Sequence, residues 1–306
     1  MMHSMTDIRA IADILRTLVA FDTTSRNSNL PCIDWIEGYL RDAGATTERI
    51  FDPTGQKANL WATIGPPDQA GYVLSGHTDV VPVDGQQWAS DPFALAERDG
   101  KFYGRGSCDM KGFDAVCLAM APAMASAGLK RPIHFALSYD EEIGCEGVRG
   151  LLERLNDKPQ RPLGCFVGEP TSMQVIIGHK GSRRIWVDVR GKAAHSSLAP
   201  QGVNAVEWAA RIVARVRDLE EQLEANGNRD DLYDVPHTTT QVGVFSGGSA
   251  ANIVPQHARF TYEVRAIGQD DPTEIAARIE RWARETLEPR MKKIDPACGF
   301  DFDWTG

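Results

Sequence analysis

YVLSGHTDVVPVDGQQWASDPFALAERDGKFYGRGSCDMKG, residues 72–112, is the stretch on which the reading of this chain turns. An apolar run reaches Gly76 and at once delivers His77 and Asp79, two positions apart. A polar excursion follows, and a second aspartate, Asp109, stands in the glycine-rich turn GRGSCDMKG. A buried strand whose carboxyl end opens into a site has this form.

Upstream, Ile8, Ile11, Ile14, Leu15 and Leu18 have the spacing of an amphipathic helix over residues 7–21. A second helix is expected over 32–43, closed by Gly44 at the position that favours a left-handed residue. Strands are expected at 46–51 and 59–64, before Pro66 and Pro67 break the chain. Downstream, 112–127 reads as a helix, 133–138 as a buried strand and 164–167 as another. Strand, helix, strand, helix, strand in this order predicts an α/β domain with a mainly parallel sheet.

The pattern changes near residue 181. Strands at 184–189, 239–245 and 258–264 alternate with long helical patterns at 204–223 and 272–287, the latter with Pro272 near its start. Two helices on one face of an antiparallel sheet make a compact α+β unit. Boundaries are therefore expected near 181 and 290.

Composition excludes several classes of protein. The 306 residues carry a net charge of −9, so no basic face for nucleic acid or an anionic membrane is expected. Asp7, Arg9, Asp13 and Arg16 interrupt the first twenty residues, which rules out the apolar core of a signal peptide there. No window reaches the roughly 18 apolar residues of a membrane span. The six cysteines are scattered without C-x-x-C pairs, which points to reduced thiols and a cytoplasmic setting.

In extended geometry His77 and Asp79 point to the same side. Asp79 can then accept the far N–H of a metal-bound imidazole or sit just outside the metal's ligands. Alone, H-x-D equally describes a surface histidine and a capping aspartate, and a lone Asp109 equally describes a helix cap. The run SYDEEIGCEG shifts the balance, because Asp140, Glu141 and Glu142 repel one another after a buried strand and a cation would offset that cost. Glu169, in FVGEPTS, follows the next strand. One histidine with several carboxylates suits Zn²⁺, Co²⁺ or Mn²⁺, and carboxylates can bridge two such ions.

The runs SGHTDVVP, YGRGSCDMKG, SYDEEIG and GEPTS, in this order, resemble the dizinc metallohydrolases, the family of aminoacylases, desuccinylases, acetylornithine deacetylases and glutamate-releasing carboxypeptidases. Within it, GHTDVVPVDGQ-W, RGSCDMKGF and GHKG are most similar to the acetylornithine deacetylases, with the desuccinylases and general aminoacylases as the alternative. The resemblance implies two zinc ions per intact subunit, with cobalt as a possible substitute. It implies that Asp109 bridges them, that His77 and Glu169 complete one site, that Glu142 binds the other ion, and that Glu141 is the general base and acid. It also implies a cis bond after Asp109. Residues 1–180 would be the first part of a catalytic domain, 181–290 an inserted lid and dimerisation domain, and 291–306 the start of a return to the catalytic domain. The lid would supply His195 to polarise the scissile carbonyl, Asn252 to hydrogen-bond the substrate and Arg265 to bind its α-carboxylate, commonly across a homodimer. Family members carry a further zinc-binding histidine beyond the lid. No histidine follows His257, so the chain is expected to be truncated at its C-terminus, and a catalytically incomplete metal-binding or dimerising fragment is the reading from another class.

Overall fold

The computed structural model describes residues 8–156 and 160–304, so Asp7, the first residue of the expected N-terminal helix, lies outside the described residues. The described chain falls into two compact units, 1–175 and 176–306.

The first unit opens with helices α1 (Ile8–Ala20) and α2 (Leu30–Asp42). Gly44 follows α2 at φ +88, a conformation that only glycine adopts without strain. Strands β1 (Thr46–Phe51) and β2 (Ala58–Ile64) come next, then β3 (Tyr72–His77). The excursion forms a small hairpin of β4 (Ala96–Arg98) and β5 (Lys101–Tyr103), after which come α3 (Lys111–Ser126), β6 (Ile133–Ser138), α4 (Val148–Asn156) and β7 (Gly164–Val167).

Among the described residues the main sheet runs β1-β2-β6-β3-β7. It is mixed: β6, β3 and β7 are mutually parallel, whereas β1 pairs antiparallel with β2, and β2 with β6. The connection between β1 and β2 is too short for a crossover, which needs a dozen or more residues, so the pair closes as a hairpin. The parallel half is the half that carries the chemistry. β3 lies at its centre, with β6 reached through α3 on one side and β7 through α4 on the other.

Alternation along the strands separates two cores. Leu60, Ala62, Ile64, Phe135 and Leu137 face α1, α2 and α3, while Trp61, Val73 and Ala136 face Leu151 of α4. β7 was expected to be buried. Among the described residues it is instead an edge strand pairing only with β3, and it leaves Phe166 and Val167 each 62% exposed.

In the second unit β8 (Gly181–Arg190), α5 (Ala205–Asn226), β9 (Thr239–Gly247), β10 (His257–Ala266) and α6 (Pro272–Trp282) build the expected α+β arrangement. Asn204 and Asp271 cap the two helices, each accepting two backbone N–H groups. The helix expected over 272–287 ends at Trp282 and passes through a π-helical turn, Ala283–Leu287. Residues read as the start of a return segment form β11 (Gly299–Asp303), which pairs antiparallel with β8 and completes the sheet β11-β8-β10-β9. Phe300 on β11 is buried in the same core as Phe260 and Tyr262, which explains why the strand docks here.

Leu40 has no exposed surface and sits in the core of the first unit, whereas Leu152 on α4 is half exposed. Leu40→Ala should cost about 2–5 kcal/mol in urea unfolding of that unit, and Leu152→Ala under about 0.5 kcal/mol. Equal losses would contradict the placement of this core.

Candidate metal centre

The carboxyl ends of the three parallel strands converge. β3 ends in His77, β6 is followed by residues 140–142, and β7 by Glu169. Asp109 arrives by another route: it stands in the turn between the β4-β5 hairpin and α3. The Asp109–Met110 peptide is cis. Crevices at the carboxyl ends of an open α/β sheet, where the chain switches direction, are where such folds bind ligands.

His77 is the buried centre of the cluster, 1% exposed. Its Nε2 lies 3.0 Å from Asp109 Oδ1 and 3.8 Å from both Glu141 Oε2 and Glu169 Oε1. Two sets of donor atoms lie within 4.8 Å of one another: His77 with Asp109 and Glu142, and His77 with Glu141 and Glu169. All five residues expected at the metal site are thus brought together. These groupings differ from the expected division into His77, Asp109 and Glu169 against Asp109 and Glu142.

The Nδ1 atom of His77 points the other way, 2.9 Å from the backbone carbonyl of Asp79. The Asp79 carboxylate, expected to be the partner of this nitrogen, lies farther off at 3.5 Å. It is committed elsewhere: Asp79 Oδ2 accepts from Ser25 Oγ (2.7 Å) and from the Glu142 N–H (3.2 Å), and Oδ1 from the Glu141 N–H (3.1 Å). Asp79 therefore holds the backbone of the two glutamates as well as facing the histidine.

The electrostatics are those of an anionic cluster. Burial pushes Glu142 up to about 7, reinforced by Asp109, and burial with Asp109 and Glu141 raises Glu169. Burial lowers His77, but Asp79, Glu141 and Asp109 outweigh it and push the imidazole up to about 10. Burial raises Asp79, yet hydrogen bonds from His77, Ser25 and Glu141 hold it below its ordinary range. One imidazole facing four converging carboxylates fits a divalent metal, whose charge would offset the repulsion that these shifts record.

Two residues outside the expected set belong to this neighbourhood. Asp114 on α3 is 1% exposed, and neither carboxyl oxygen has a hydrogen-bond partner among the described residues. It is pushed up to about 7 by burial. A Cβ placed on Gly76 would come within 2.1 Å of Asp114 Oδ1, so the residue before His77 has no room for a side chain. The signal was present in the sequence, since Lys111 and Asp114 share the buried face of α3 with Ala115, Leu118 and Ala121. The second is Lys57, at the edge of β2, which ion-pairs with Asp140 at 2.6 Å.

The second unit holds the other expected residues. Asn252 and His195 are adjacent: the Ser196 N–H donates to Asn252 O at 3.0 Å, and His195 bridges to Ile253. His195 Nδ1 accepts from the Ser197 N–H at 3.2 Å, so the proton of the neutral ring sits on Nε2, in an exposed side chain. Arg265 lies at the opposite end of β10 from His257 and pairs with Glu263 at 3.0 Å.

Residues 73–302 match the family model described as peptidase family M20/M25/M40. A relative from Myxococcus xanthus called acetylornithine deacetylase is 36% identical over 296 residues, 94% of this chain and 74% of that protein. Among solved structures, an M20 family metallo-carboxypeptidase from Sulfolobus solfataricus superposes with a TM-score of 0.70 at 17% identity, over 95% of this chain and 77% of that one. A dinuclear metal-binding peptidase of the M20 family from Bacillus subtilis gives 0.54 at 17% identity, over 96% and 72%. The chain belongs to peptidase family M20/M25/M40 and is a metal-dependent hydrolase of amide bonds.

The raised groups fix how stability should vary with pH when metal is withheld. His77, raised from 6.5, stabilises fully below 6.5 and loses that contribution as pH rises through about 10. Glu142, raised from 4.5, stabilises below 4.5 and loses its contribution as pH rises through about 7. Asp79 acts oppositely, but only as pH falls below its ordinary 3.8. Above about pH 7 Lys111, lowered by burial, works against His77, so the unfolding midpoint of the metal-free first unit should fall from pH 4.5 to about 7, and a saturating divalent metal should suppress the fall by replacing the protons. A midpoint that rises over this interval would contradict the charge balance described.

Proposed function

We propose that the chain is a zinc-dependent deacylase of N-acyl amino acids, acting on N-acetyl-L-ornithine to give L-ornithine and acetate. The observation that carries the reading is the convergence of His77, Asp109, Glu141, Glu142 and Glu169, joined to the likeness over 94% of the chain to a relative called acetylornithine deacetylase.

Asp109 is the bridging ligand in this reading. Its carboxylate lies in one donor set with His77 and Glu142 and also hydrogen-bonds to Glu169, which puts it between the two halves of the cluster. His77 and Glu169 would hold one ion and Glu142 the other. When bound, two zinc ions would supply charge to polarise the amide carbonyl and to make nearby water more acidic. Glu141 takes the proton from the attacking water and passes it to the leaving amine. The Nε2–H of His195 donates to the developing oxyanion, and Asn252 hydrogen-bonds the substrate. Arg265 binds the α-carboxylate, for which a guanidinium fork is suited.

Residues 181–290 act as lid and dimerisation domain. The geometry of the second unit supports a homodimer. Arg265 is eight strand positions from His257, about 26 Å at ~3.3 Å per residue, while Asn252 and His195 lie near the His257 end. One small substrate cannot touch both ends of β10, which supports an arrangement in which the two ends serve different active sites and a second copy completes each. The six cysteines are free thiols, which fits a cytoplasmic setting, and no helix of the described residues is long and apolar enough to cross a membrane.

Glu141→Ala should reduce acetylornithine hydrolysis at least ~10²–10⁴-fold, the usual worth of a positioned acid-base group, with zinc content unchanged. Retained turnover would remove Glu141 from this role. Side-by-side assays with acetylornithine and succinyl-diaminopimelate test the substrate, and faster hydrolysis of the latter would transfer the assignment to the desuccinylases.

A further inference from the structure

Glu141 and Glu142 sit on a turn whose shape their own side chains do not set. The turn leaves β6 at Ser138 and passes through Asp140 at φ +54, a left-handed conformation that costs a non-glycine residue free energy and that contacts around it can stabilise. Lys57 supplies the hold. All three of its ammonium donors are used: Asp140 Oδ1 at 2.6 Å, Asp140 Oδ2 at 2.7 Å and the Ser25 carbonyl at 2.5 Å. The pair is largely withdrawn from solvent, with side chains 17% and 13% exposed, so it is screened far less than a surface ion pair.

The lysine is itself fixed at its backbone. Its N–H donates to Asp52 Oδ1 at 2.8 Å, and its carbonyl accepts from the Asp52 N–H at 2.9 Å. From Ser25 the network runs on to Asp79 at 2.7 Å, and from Asp79 back to the N–H groups of Glu141 and Glu142. Lys57, Asp140, the glutamate pair, Asp79 and Ser25 thus form a closed ring of contacts. The Asp140 carbonyl also accepts from the Glu146 N–H at 3.0 Å, which closes the far side of the turn.

We propose that Lys57 is a positioning residue of the metal centre, acting through Asp140 to fix the backbone from which Glu141 and Glu142 project. Its ammonium contacts no residue of the two donor sets. Its second effect is electrostatic, since it is the one cation in a ring otherwise made of carboxylates and neutral groups. The inference rests on the reading of Glu141 as base and Glu142 as ligand.

The test is Co²⁺ titration of the full chain, followed by visible absorbance, beside steady-state kinetics with acetylornithine. Lys57→Met should weaken the lower-affinity Co²⁺ step about 10–100-fold, the usual cost of losing a group that orients a metal ligand, and lower kcat with KM little changed. Lys57→Arg, which keeps the charge, should recover part of both losses. Asp140→Asn provides the same readout if Lys57→Met fails to fold. The double variant should be no worse than the poorer single variant, because both break one interaction. Co²⁺ affinity and kcat within twofold of the parent in the single variants, or losses that multiply in the double variant, would overturn the proposal. A parent chain whose Co²⁺ uptake survives His77→Ala would overturn the metal-centre reading itself, a result distinct from failure of the brace alone.

Discussion

Like charges brought to one end of a sheet must be balanced, and that requirement governs the first unit. Asp79, Asp109, Glu141, Glu142 and Glu169 all lie around a single buried imidazole. The protein's own answer is partial. Backbone N–H groups and Ser25 satisfy Asp79, and Lys57 neutralises Asp140, but among the described residues the four outward carboxylates share one cationic partner, His77. The remaining charge is the binding energy available to a divalent cation, and the topology of three parallel strands is what collects it in one place.

Much of this was legible in the sequence, for identifiable reasons. Each metal-site glutamate or histidine follows an apolar run, and a run of that kind is read from local pattern alone. β6 and β7 have the expected limits, Ile133–Ser138 and Gly164–Val167, because turn residues bracket them. Pairing was less legible. Whether β2 runs with or against β6, and whether β7 is central or at an edge, depends on partners distant in sequence, and the apolar side chains Phe166 and Val167 gave no sign of their exposure.

The same limit applied to the polar groups that support the site. Asp140 read as a third repelling carboxylate, although its partner Lys57 lies 83 positions away, just before β2. Asp79 read as the mate of the imidazole because the two are neighbours in sequence, while its strongest contacts are with Ser25 and with backbone that arrives after β6. In the second unit, β11 was hidden for a related reason. A short alternating segment, GFDFD, carries no mark of which sheet it will join, and burial of Phe300 decides it.

The contact between Gly76 and Asp114 has a consequence for how this sequence can change. With an aspartate on that face of α3, any side chain at 76 meets its oxygen at 2.1 Å, so substitution at 76 must wait until 114 has become small. The reverse order is open, because shortening 114 relieves a buried carboxyl that has no hydrogen-bond partner among the described residues. Two neighbouring positions are thereby tied into a one-way path. A lineage that fills the space at 76 closes the return to aspartate at 114, and the histidine one residue on inherits whichever floor the path has left beneath it.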